Sequence, residues 1–361
     1  MSPRVLIVSN MYPSNKYPSY GIFVKRFCEE LKRININFEL SCMKKSRFKI
    51  LKILNYFNFY LITFFKIILK KYDIIYIHYA SHSCIPALFA SKFKKLRIYT
   101  NVHGSDVVPE NKKQLKFQKY TQKVLSISEK IIVPSIYFKR YVSNKYGIEE
   151  DKINIYPSSG IDIEKFYPYP ASKIKELKRK YNIEEDKTIF LYAGRITEGK
   201  GWDILLNSIN LIDSKNCVFI IAGDGNQLVE FSALCSKLKL NDRIIKLPLL
   251  SEKELINYYN LSDAFIFPTR REGESLGLVA LESMACGTPV ISSDFAAPSY
   301  YVKNGVNGYK FEVNNSHMLA SIMKKFIESE YSKKQISKKC RDSIKCYSSS
   351  LIREELKKIF E

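Results

Sequence analysis

The chain has 361 residues, of which 46% are hydrophobic and 13% aromatic, and its 58 Lys and Arg outnumber its 36 Asp and Glu, giving a formal net charge of +22. At roughly 100–200 residues per domain this length predicts two domains, and the apolar content excludes a disordered polycation, which lacks the residues to offset ordering entropy. The positive excess leaves nucleic acid, an anionic membrane surface and anionic substrates open as partners.

Short apolar runs rich in β-branched residues alternate with helical patterns along the chain, which predicts parallel α/β sheets. The first half contains the predicted strands Arg4–Ser9, Phe38–Met43, Asp73–Tyr79, Leu96–Val102 and Ile131–Pro134. The second half contains Thr188–Ala193, Cys217–Ala222, Arg243–Leu247, Ala264–Pro268 and Pro289–Ser293. Each set is expected to form one doubly wound domain, and the proline-containing segment Ile155–Ser172 is predicted to link them.

The segment Lys44–Lys71 is basic at both ends and aromatic in between. Its uncharged core, Ile53–Phe65, has 13 residues, which is short of the roughly 20 needed to span a bilayer, so we do not expect a transmembrane helix. Two interpretations stay open. Aromatic residues at helical spacing favour a buried helix or helical hairpin on the first sheet, whereas the basic ends suit a helix lying in a membrane interface.

A glycine-rich segment, Gly194 to Gly201, follows one predicted strand and precedes a helix that begins near Trp202. Glycines let the backbone approach an anion, a helix N-terminus offers N–H groups, and Arg195 and Lys200 add two positive charges, so the segment suits a phosphate. It departs from a Walker A motif, because Gly201 stands where Ser or Thr would bind Mg²⁺. A glycine-rich turn with solvated charges is the alternative.

A second motif extends from Pro268 to Ile291, with Glu274 in a polar loop and Glu282 in a helix predicted to start near Leu276–Gly277. Eight helical residues separate two carboxylates by about 12 Å, a distance that suits the two ends of a nucleotide sugar. The N–H groups of the first turn, around Leu276–Leu278, would then meet its diphosphate. An exposed helix start with incidental acids is the alternative.

These two motifs together resemble those of the retaining glycosyltransferases of family 4, of the "glycosyl transferases group 1" type. The matching residues are Gly194-Arg195, Lys200-Gly201, Glu274-Ser-Leu-Gly-Leu-Val-Ala-Leu-Glu282 and Met284-Ala-Cys-Gly-Thr-Pro-Val290, with His103-Gly-Ser-Asp106 as a looser match in the first half. The resemblance implies the α/β GT-B fold, with two facing Rossmann-like doubly wound parallel-sheet domains and a cleft between them. Residues 1–168 would form the acceptor-binding domain and 169–345 the donor-binding domain, and a final helix over about 346–361 would pack back on the first.

The resemblance also implies roles for individual residues. Arg195 and Lys200 would hold the donor's diphosphate. Glu282 would hold the ribose hydroxyls and Glu274 the transferred sugar as a positioning group, while His103 would lie beside that sugar near its anomeric carbon. The donor's remaining contacts are expected at Gly21, Gly194, Gly225, Leu276, Gly277 and Leu278.

The activity implied by the resemblance is transfer of a hexose from a UDP- or GDP-linked sugar to a glycan or lipid-linked acceptor. The setting it implies is bacterial-type surface polysaccharide assembly, meaning capsule, O-antigen or exopolysaccharide. No Asp-x-Asp occurs in the sequence, so we expect a metal-independent reaction with no cofactor besides the donor substrate. The eight cysteines form no Cys-x-x-Cys pair and are predicted to be buried free thiols in a reducing compartment. The short run Val5–Val8 is no signal sequence, so a cytoplasmic protein is expected, peripheral on the inner face of the plasma membrane.

Two other classes of protein compete with this interpretation. A GT-B epimerase or an inactive sugar-binding relative would share the fold, although the presence of Arg195, Lys200, Glu274, Glu282 and His103 together argues for activity. A nucleic-acid-binding protein would account for the net charge of +22. No recognisable binding motif supports that class, because a general basic field does not specify DNA or RNA.

Overall fold

A computed structural model describes residues 2–361, apart from the side chain of Lys49. The chain divides into two compact units, the first running to Gly160 and including Ser349–Glu361, the second comprising Ile161–Ser348. The sequence analysis placed these divisions at 168/169 and 345/346. Residues just after Ile161 belong to the second unit because Ile161 and Phe166 are buried in its core.

The first unit is built on one parallel sheet with six strands in the order β2-β1-β3-β4-β5-β6. The strands are β1 Arg4–Tyr12, β2 Asn37–Lys44, β3 Ile74–His78, β4 Ile98–Asn101, β5 Lys130–Val133 and β6 Ile153–Ile155. The helices are α1 Ile22–Arg33, α2 Lys49–Leu69, α3 Ala80–Ser83, α4 Ile85–Ala90, α5 Lys112–Ile127, α6 Ile136–Tyr146 and, from the end of the chain, α15 Ser349–Phe360.

Each face of this first sheet carries its own apolar core. One core joins the sheet to α2, α4, α5 and α6, through residues such as Phe59, Val124 and Phe138. The other joins it to α1 and α15, and α15 contributes Ile352, Leu356, Ile359 and Phe360 to it. The final helix thus completes one apolar core of the first unit.

The second unit has the same plan, with six parallel strands in the order β12-β11-β10-β7-β8-β9. The strands are β7 Thr188–Ala193, β8 Cys217–Ala222, β9 Ile244–Leu247, β10 Ala264–Phe267, β11 Val290–Ser293 and β12 Gly308–Phe311. The helices are α7 Ala171–Lys180, α8 Trp202–Asn210, α9 Leu228–Lys237, α10 Glu252–Leu261, α11 Leu278–Ala285, α12 Pro298–Tyr301, α13 Ser316–Ile327 and α14 Lys333–Ser343. Apolar cores again cover both faces of the sheet.

Two strands were missing from the sequence analysis, β6 and β12. Both are short and lie at a sheet edge, and each has only part of its residues buried. An edge strand pairs on one side only, so it needs neither the length nor the continuous apolar run of a central strand. Ile155 was therefore assigned to the linker, and no strand was predicted over residues 308–311.

The segment 44–71 differs from the favoured prediction of a buried helix or hairpin. It contains a single helix, α2, of 21 residues. On one side of this helix Phe59, Thr63 and Ile67 are buried, and on the other side a row of large apolar side chains is exposed. By length and composition, Ile50–Leu69 is also a candidate membrane span, with a mean hydropathy of 1.2 and 17% of its residues buried. At 21 residues, α2 is longer than the uncharged run of 13 residues from which we expected no transmembrane helix.

Candidate functional site

The two motifs of the second half lie side by side at the carboxyl edge of the second sheet. The central strands β7 and β10 are neighbours, and the chain runs outward from them in opposite directions, through β8 and β9 on one side and β11 and β12 on the other. Such a reversal of strand order is where open α/β sheets bind ligands, in the crevice beyond the carboxyl ends of the strands. The segment 194–201 follows β7 and the segment 268–277 follows β10.

Glycines allow these two segments to touch. Gly201 has a φ of +74°, and a Cβ built there would lie 1.8 Å from the carbonyl oxygen of Pro268. Gly199 has a φ of +78°, and its carbonyl oxygen accepts a hydrogen bond of 2.8 Å from the backbone N–H of Arg270. Any other residue at Gly201 would strain the backbone and push the segments apart, so this glycine sets the distance between the motifs.

The centre of the candidate site is an ion pair between Lys200 and Glu274. Lys200 Nζ lies 2.6 Å from Glu274 Oε2, and their side chains are 14% and 10% exposed. Thr269 donates a further hydrogen bond of 3.3 Å to the same oxygen. Burial alone would raise the pKa of Glu274, but Lys200, Arg271 and Thr269 outweigh it and lower that pKa. The carboxylate is therefore held ionised.

A hydrogen bond from a buried tyrosine fixes the carboxylate of Glu282. Tyr259, from α10, donates a hydrogen bond of 3.0 Å to Glu282 Oε2, and Tyr259 is fully buried. The carboxylate and burial together raise the pKa of Tyr259 well above its usual value, with burial the larger cause. The tyrosine thus stays a hydrogen-bond donor to Glu282. No sequence motif pointed to Tyr259, because it comes from a different helix.

The predicted geometry of Glu274 and Glu282 needs one correction. Residues 274–277 are not helical, and α11 begins only at Leu278, after Gly277 with a φ of +76°. The estimate of about 12 Å along one helix therefore does not apply, because only Glu282 lies on α11. Leu276 is buried, and its carbonyl oxygen accepts a hydrogen bond of 2.9 Å from Tyr301. The N–H groups that begin this helix belong to Leu278 and its successors.

The other predicted donor contacts lie on the same edge. Arg195 is exposed, and the carbonyl oxygen of Gly194 packs where a Cβ of Gly223 would be, 1.8 Å away. A Cβ at Gly225 would lie 2.1 Å from the carbonyl oxygen of Ile196. The loops after β7 and β8 are thus packed closely through glycines. Arg195, which follows β7 and precedes Lys200 in the same segment, is exposed to solvent.

In the first unit, Gly21 and His103 lie at the corresponding sheet edge. The strand order reverses between β1 and β3, so this edge has a crevice of the same kind. Gly21, with a φ of +72°, precedes α1, and a Cβ there would lie 2.6 Å from the backbone of Met11. The contacts of Gly21 and His103 with a donor stay predictions, because each unit is described by itself.

A second histidine accompanies His103, and no motif indicated it. His78 ends β3, and its Nδ1 lies 3.0 Å from His103 Nε2. The backbone N–H of His103 donates to Asp106, 2.9 Å away. Burial lowers the pKa of His103 to about 3 and raises that of Asp106 to about 6, and it lowers the pKa of His78 well below its usual value. Both histidines are therefore neutral near neutral pH.

This pair gives a pH prediction. Because the folded-state pKa of His103 is about 3 and that of an unfolded histidine about 6.5, the unfolded chain binds the proton first as the pH falls. The free energy of unfolding should therefore fall from about pH 6.5 downward, by roughly 2 kcal/mol from His103 at pH 5, and His78, whose pKa is also lowered, acts in the same direction. Asp106, with its raised pKa, opposes part of this loss between about pH 6 and 4.

Chemical denaturation between about pH 7 and pH 5 measures that slope. In His103→Gln the slope should be smaller than in the wild type. His317→Gln is the matched control, because His317 is exposed in the second unit, and it should leave the slope unchanged. Equal slopes in the wild type and His103→Gln would contradict the assignment of a neutral, partly buried His103.

The cysteines and the potential metal ligands contribute little to the candidate site. Five of the cysteines are buried, Cys42 and Cys217 are partly buried, and Cys346 is exposed. Across residues 2–361 no group of three or more His, Cys, Asp and Glu side chains is arranged to hold a metal ion. Metal independence stays a prediction for the reaction.

Two family models match the chain, one in each half. The model "Glycosyl transferases group 1" matches residues 173–343, and the model "Glycosyltransferase Family 4" matches residues 41–165. The chain belongs to this family of glycosyltransferases, and its two six-stranded units have the GT-B fold of that family.

Individual relatives agree with this assignment. A 41.2 kDa protein from the cps region of Klebsiella pneumoniae is 26% identical over 262 residues, which cover 70% of this chain and 69% of that protein. A D-inositol 3-phosphate glycosyltransferase of Xylanimonas cellulosilytica is 28% identical over 169 residues, 45% of this chain and 40% of the relative. The solved structure of Anabaena HepE with UDP and glucose has a TM-score of 0.74 at 17% identity, covering 99% of both chains, and shares the fold.

Proposed function

We propose that this glycosyltransferase moves a hexose from a nucleoside-diphosphate sugar to a glycan or lipid-linked acceptor, with retention of configuration and without a metal ion. The observation that carries the proposal is the buried pair of Lys200 and Glu274, 2.6 Å apart, in the segments that also contain Arg195 and lead into α11. A cation, an ionised carboxylate and helix N–H groups at one strand-order reversal suit a diphosphate bonded to a sugar. The structure of HepE with UDP and glucose supports the same class of donor.

The proposed reaction breaks the bond between the sugar's anomeric carbon and the diphosphate oxygen. The bonding electrons leave with the diphosphate, and the acceptor oxygen bonds to the anomeric carbon from the same face. The acceptor's proton passes to the departing phosphate. Arg195, Lys200 and the first N–H groups of α11 stabilise the negative charge as it develops, which is usually the largest catalytic contribution.

The two carboxylates have different tasks in this proposal. Glu274, fixed by Lys200 and Thr269, accepts hydrogen bonds from the transferred sugar and orients it. Glu282, fixed by Tyr259, accepts hydrogen bonds from the ribose. In the first unit, His103 is a neutral hydrogen-bonding group for the sugar, because burial lowers its pKa to about 3.

The setting we propose is the assembly of a bacterial-type surface polysaccharide on the cytoplasmic face of the plasma membrane. The relative from a cps region supports this setting. The acceptor would be bound by the first unit and the nucleoside diphosphate of the donor by the second.

A donor screen tests the proposed function. UDP- and GDP-linked hexoses are titrated into the full chain by calorimetry in the presence of EDTA, and bound donors are then incubated with water and with lipid-linked saccharides. We expect one donor to bind without metal and to be hydrolysed slowly with release of the nucleoside diphosphate. Binding without bond cleavage would indicate an inactive sugar-binding relative, and an epimerised sugar would indicate an epimerase. Absence of binding by any nucleotide sugar would refute the proposal.

A further inference from the structure

The outward side of α2 is apolar along the whole helix. Ile53, Phe57, Leu61, Phe65 and Leu69 follow one another at four-residue steps and are 41–77% exposed. We call these five residues the docking face. Phe64 of α2 links this face to two phenylalanines of the neighbouring segment. Its ring centroid lies 5.3 Å from that of Phe89 and 6.2 Å from that of Phe93, and both of these residues are exposed.

The area of this surface exceeds that of an ordinary protein surface patch. A half-exposed aromatic or large aliphatic side chain presents on the order of 100 Å², so the docking face and the two phenylalanines beside it present roughly 700 Å². The largest apolar patch of a typical monomer is about 300–600 Å² and is often functional. A solvent-facing helix normally places charged residues on this side, so the docking face is built to contact something apolar.

The opposite side of α2 is tied to the sheet by polar contacts. Thr63 Oγ1 lies 2.7 Å from Ser41 Oγ, and both residues are buried. Lys66 Nζ lies 2.9 Å from a carboxylate oxygen of Glu39, and hydrogen bonds from Tyr72 and Lys66 lower the pKa of that carboxyl to about 2. A helix crossing the bilayer would expose these groups to hydrocarbon. With one side held on β2 and the other apolar, α2 is suited to lie in the plane of an interface.

The charge around the docking face identifies its partner as anionic. Between Glu39 and Asp106 the sequence contains one acidic residue, Asp73. The same stretch contains twelve basic residues. Lys66 and Lys70 pair with Glu39, and Arg97 pairs with Glu129. The other nine are Lys44, Lys45, Arg47, Lys49, Lys52, Lys71, Lys92, Lys94 and Lys95. Basic residues at the headgroup level contribute about 1 kcal/mol each on an anionic bilayer. A symmetric contact with a second copy would instead bring these like charges together.

We propose that the docking face inserts into the interfacial layer of an anionic phospholipid bilayer, with the surrounding Lys and Arg side chains on the lipid headgroups. The surface adjoins the candidate site of the first unit, because Tyr56 of α2 accepts a hydrogen bond of 3.0 Å from Asn10, near the carboxyl end of β1. An acceptor carried by the bilayer would therefore be delivered beside that edge. The proposal goes beyond sugar transfer, and lipid binding is measured without donor or acceptor.

Vesicle sedimentation of the full chain tests the proposal. The wild type should sediment with vesicles of phosphatidylglycerol and phosphatidylcholine at low salt, should be released as salt rises, and should bind pure phosphatidylcholine far more weakly. The double variant Phe57→Asp/Leu61→Asp should bind the anionic vesicles at least about tenfold more weakly. The matched control is Val229→Asp/Leu249→Asp, at residues 81% and 73% exposed in the second unit, and it should bind as the wild type does.

A fluorescent variant gives an independent measurement that does not depend on the folding of the double variant. The chain has one tryptophan, in the second unit, so Phe65→Trp adds a reporter on the docking face. Its emission should shift to the blue and be quenched by lipids with brominated acyl chains, whereas that of Val229→Trp should not. Equal lipid binding by the Asp double variant, or an unquenched Phe65→Trp, would overturn the proposal. So would a dimer in the absence of lipid that the Asp double variant dissociates.

Discussion

Replacing Glu282 by alanine should weaken donor binding by roughly 100-fold or more, because two charge-assisted hydrogen bonds to ribose hydroxyls are worth about 1.5–3 kcal/mol each. The carboxylate is already fixed in the absence of ligand, since Tyr259 donates to it from 3.0 Å away. The loss should therefore appear in the dissociation constant of the nucleoside diphosphate alone as well as that of the sugar nucleotide. Calorimetric titration of both ligands measures it.

Two further variants define what this result means. Tyr259→Phe removes the supporting hydroxyl but leaves the carboxylate, so it should weaken binding by less than about tenfold. Glu230→Ala changes an exposed carboxylate on α9 and should bind donor as the wild type does. If Glu282→Ala retained wild-type affinity for the nucleoside diphosphate, Glu282 would have no contact with the ribose.

Replacing Lys200 by methionine should reduce the rate of transfer by roughly 100- to 1,000-fold, the usual effect of removing one group that stabilises developing charge. It should also destabilise the folded protein by about 3–5 kcal/mol, because Glu274 would be left ionised and buried without its cation. Steady-state kinetics and urea denaturation measure the two effects. Donor hydrolysis serves as the activity where no acceptor is at hand.

A double variant separates catalysis from stability. Lys200→Met/Glu274→Gln removes both charges of the buried pair, so it should recover most of the lost stability but none of the transfer activity. The control is Lys175→Met, which breaks an ion pair with Glu185 in which both side chains are more than half exposed and should cost less than about 1 kcal/mol. Recovery of transfer in the double variant would mean that Lys200 acts only by neutralising Glu274.

The strands and helices that the sequence predicted correctly are those whose own residues form a clear apolar pattern. The buried central strand β7 is a continuous β-branched and aromatic run, and its predicted bounds, Thr188–Ala193, match the structure. The edge strands β6 and β12 carry no such run and were missed. For α2 the pattern indicated a helix correctly, but exposure depends on what packs against each side, which the spacing of Phe57 and Phe59 does not reveal.

The residues of the candidate site likewise fall into those that the sequence predicted and those that it did not. Arg195, Lys200, Glu274 and Glu282 lie in two local motifs, and the adjacency of β7 and β10 places both motifs at one edge. Their supporting residues come from elsewhere in the chain. Tyr259 reaches Glu282 from α10 and His78 reaches His103 from the neighbouring strand β3. Such pairs depend on tertiary contacts between distant segments, so no single stretch of sequence indicated them.

The position of α15 constrains the order in which the chain can fold during synthesis. Its residues Leu356 and Phe360 fill the core between the first sheet and α1, against Val5 and Tyr76. A ribosome therefore makes the whole of the second unit, Ile161–Ser348, before the residues that close the first unit's core emerge. Until then α1 alone covers that face of the first sheet and part of its apolar surface is exposed, an aggregation-prone state. A shortened chain without α15 would keep that apolar surface exposed permanently.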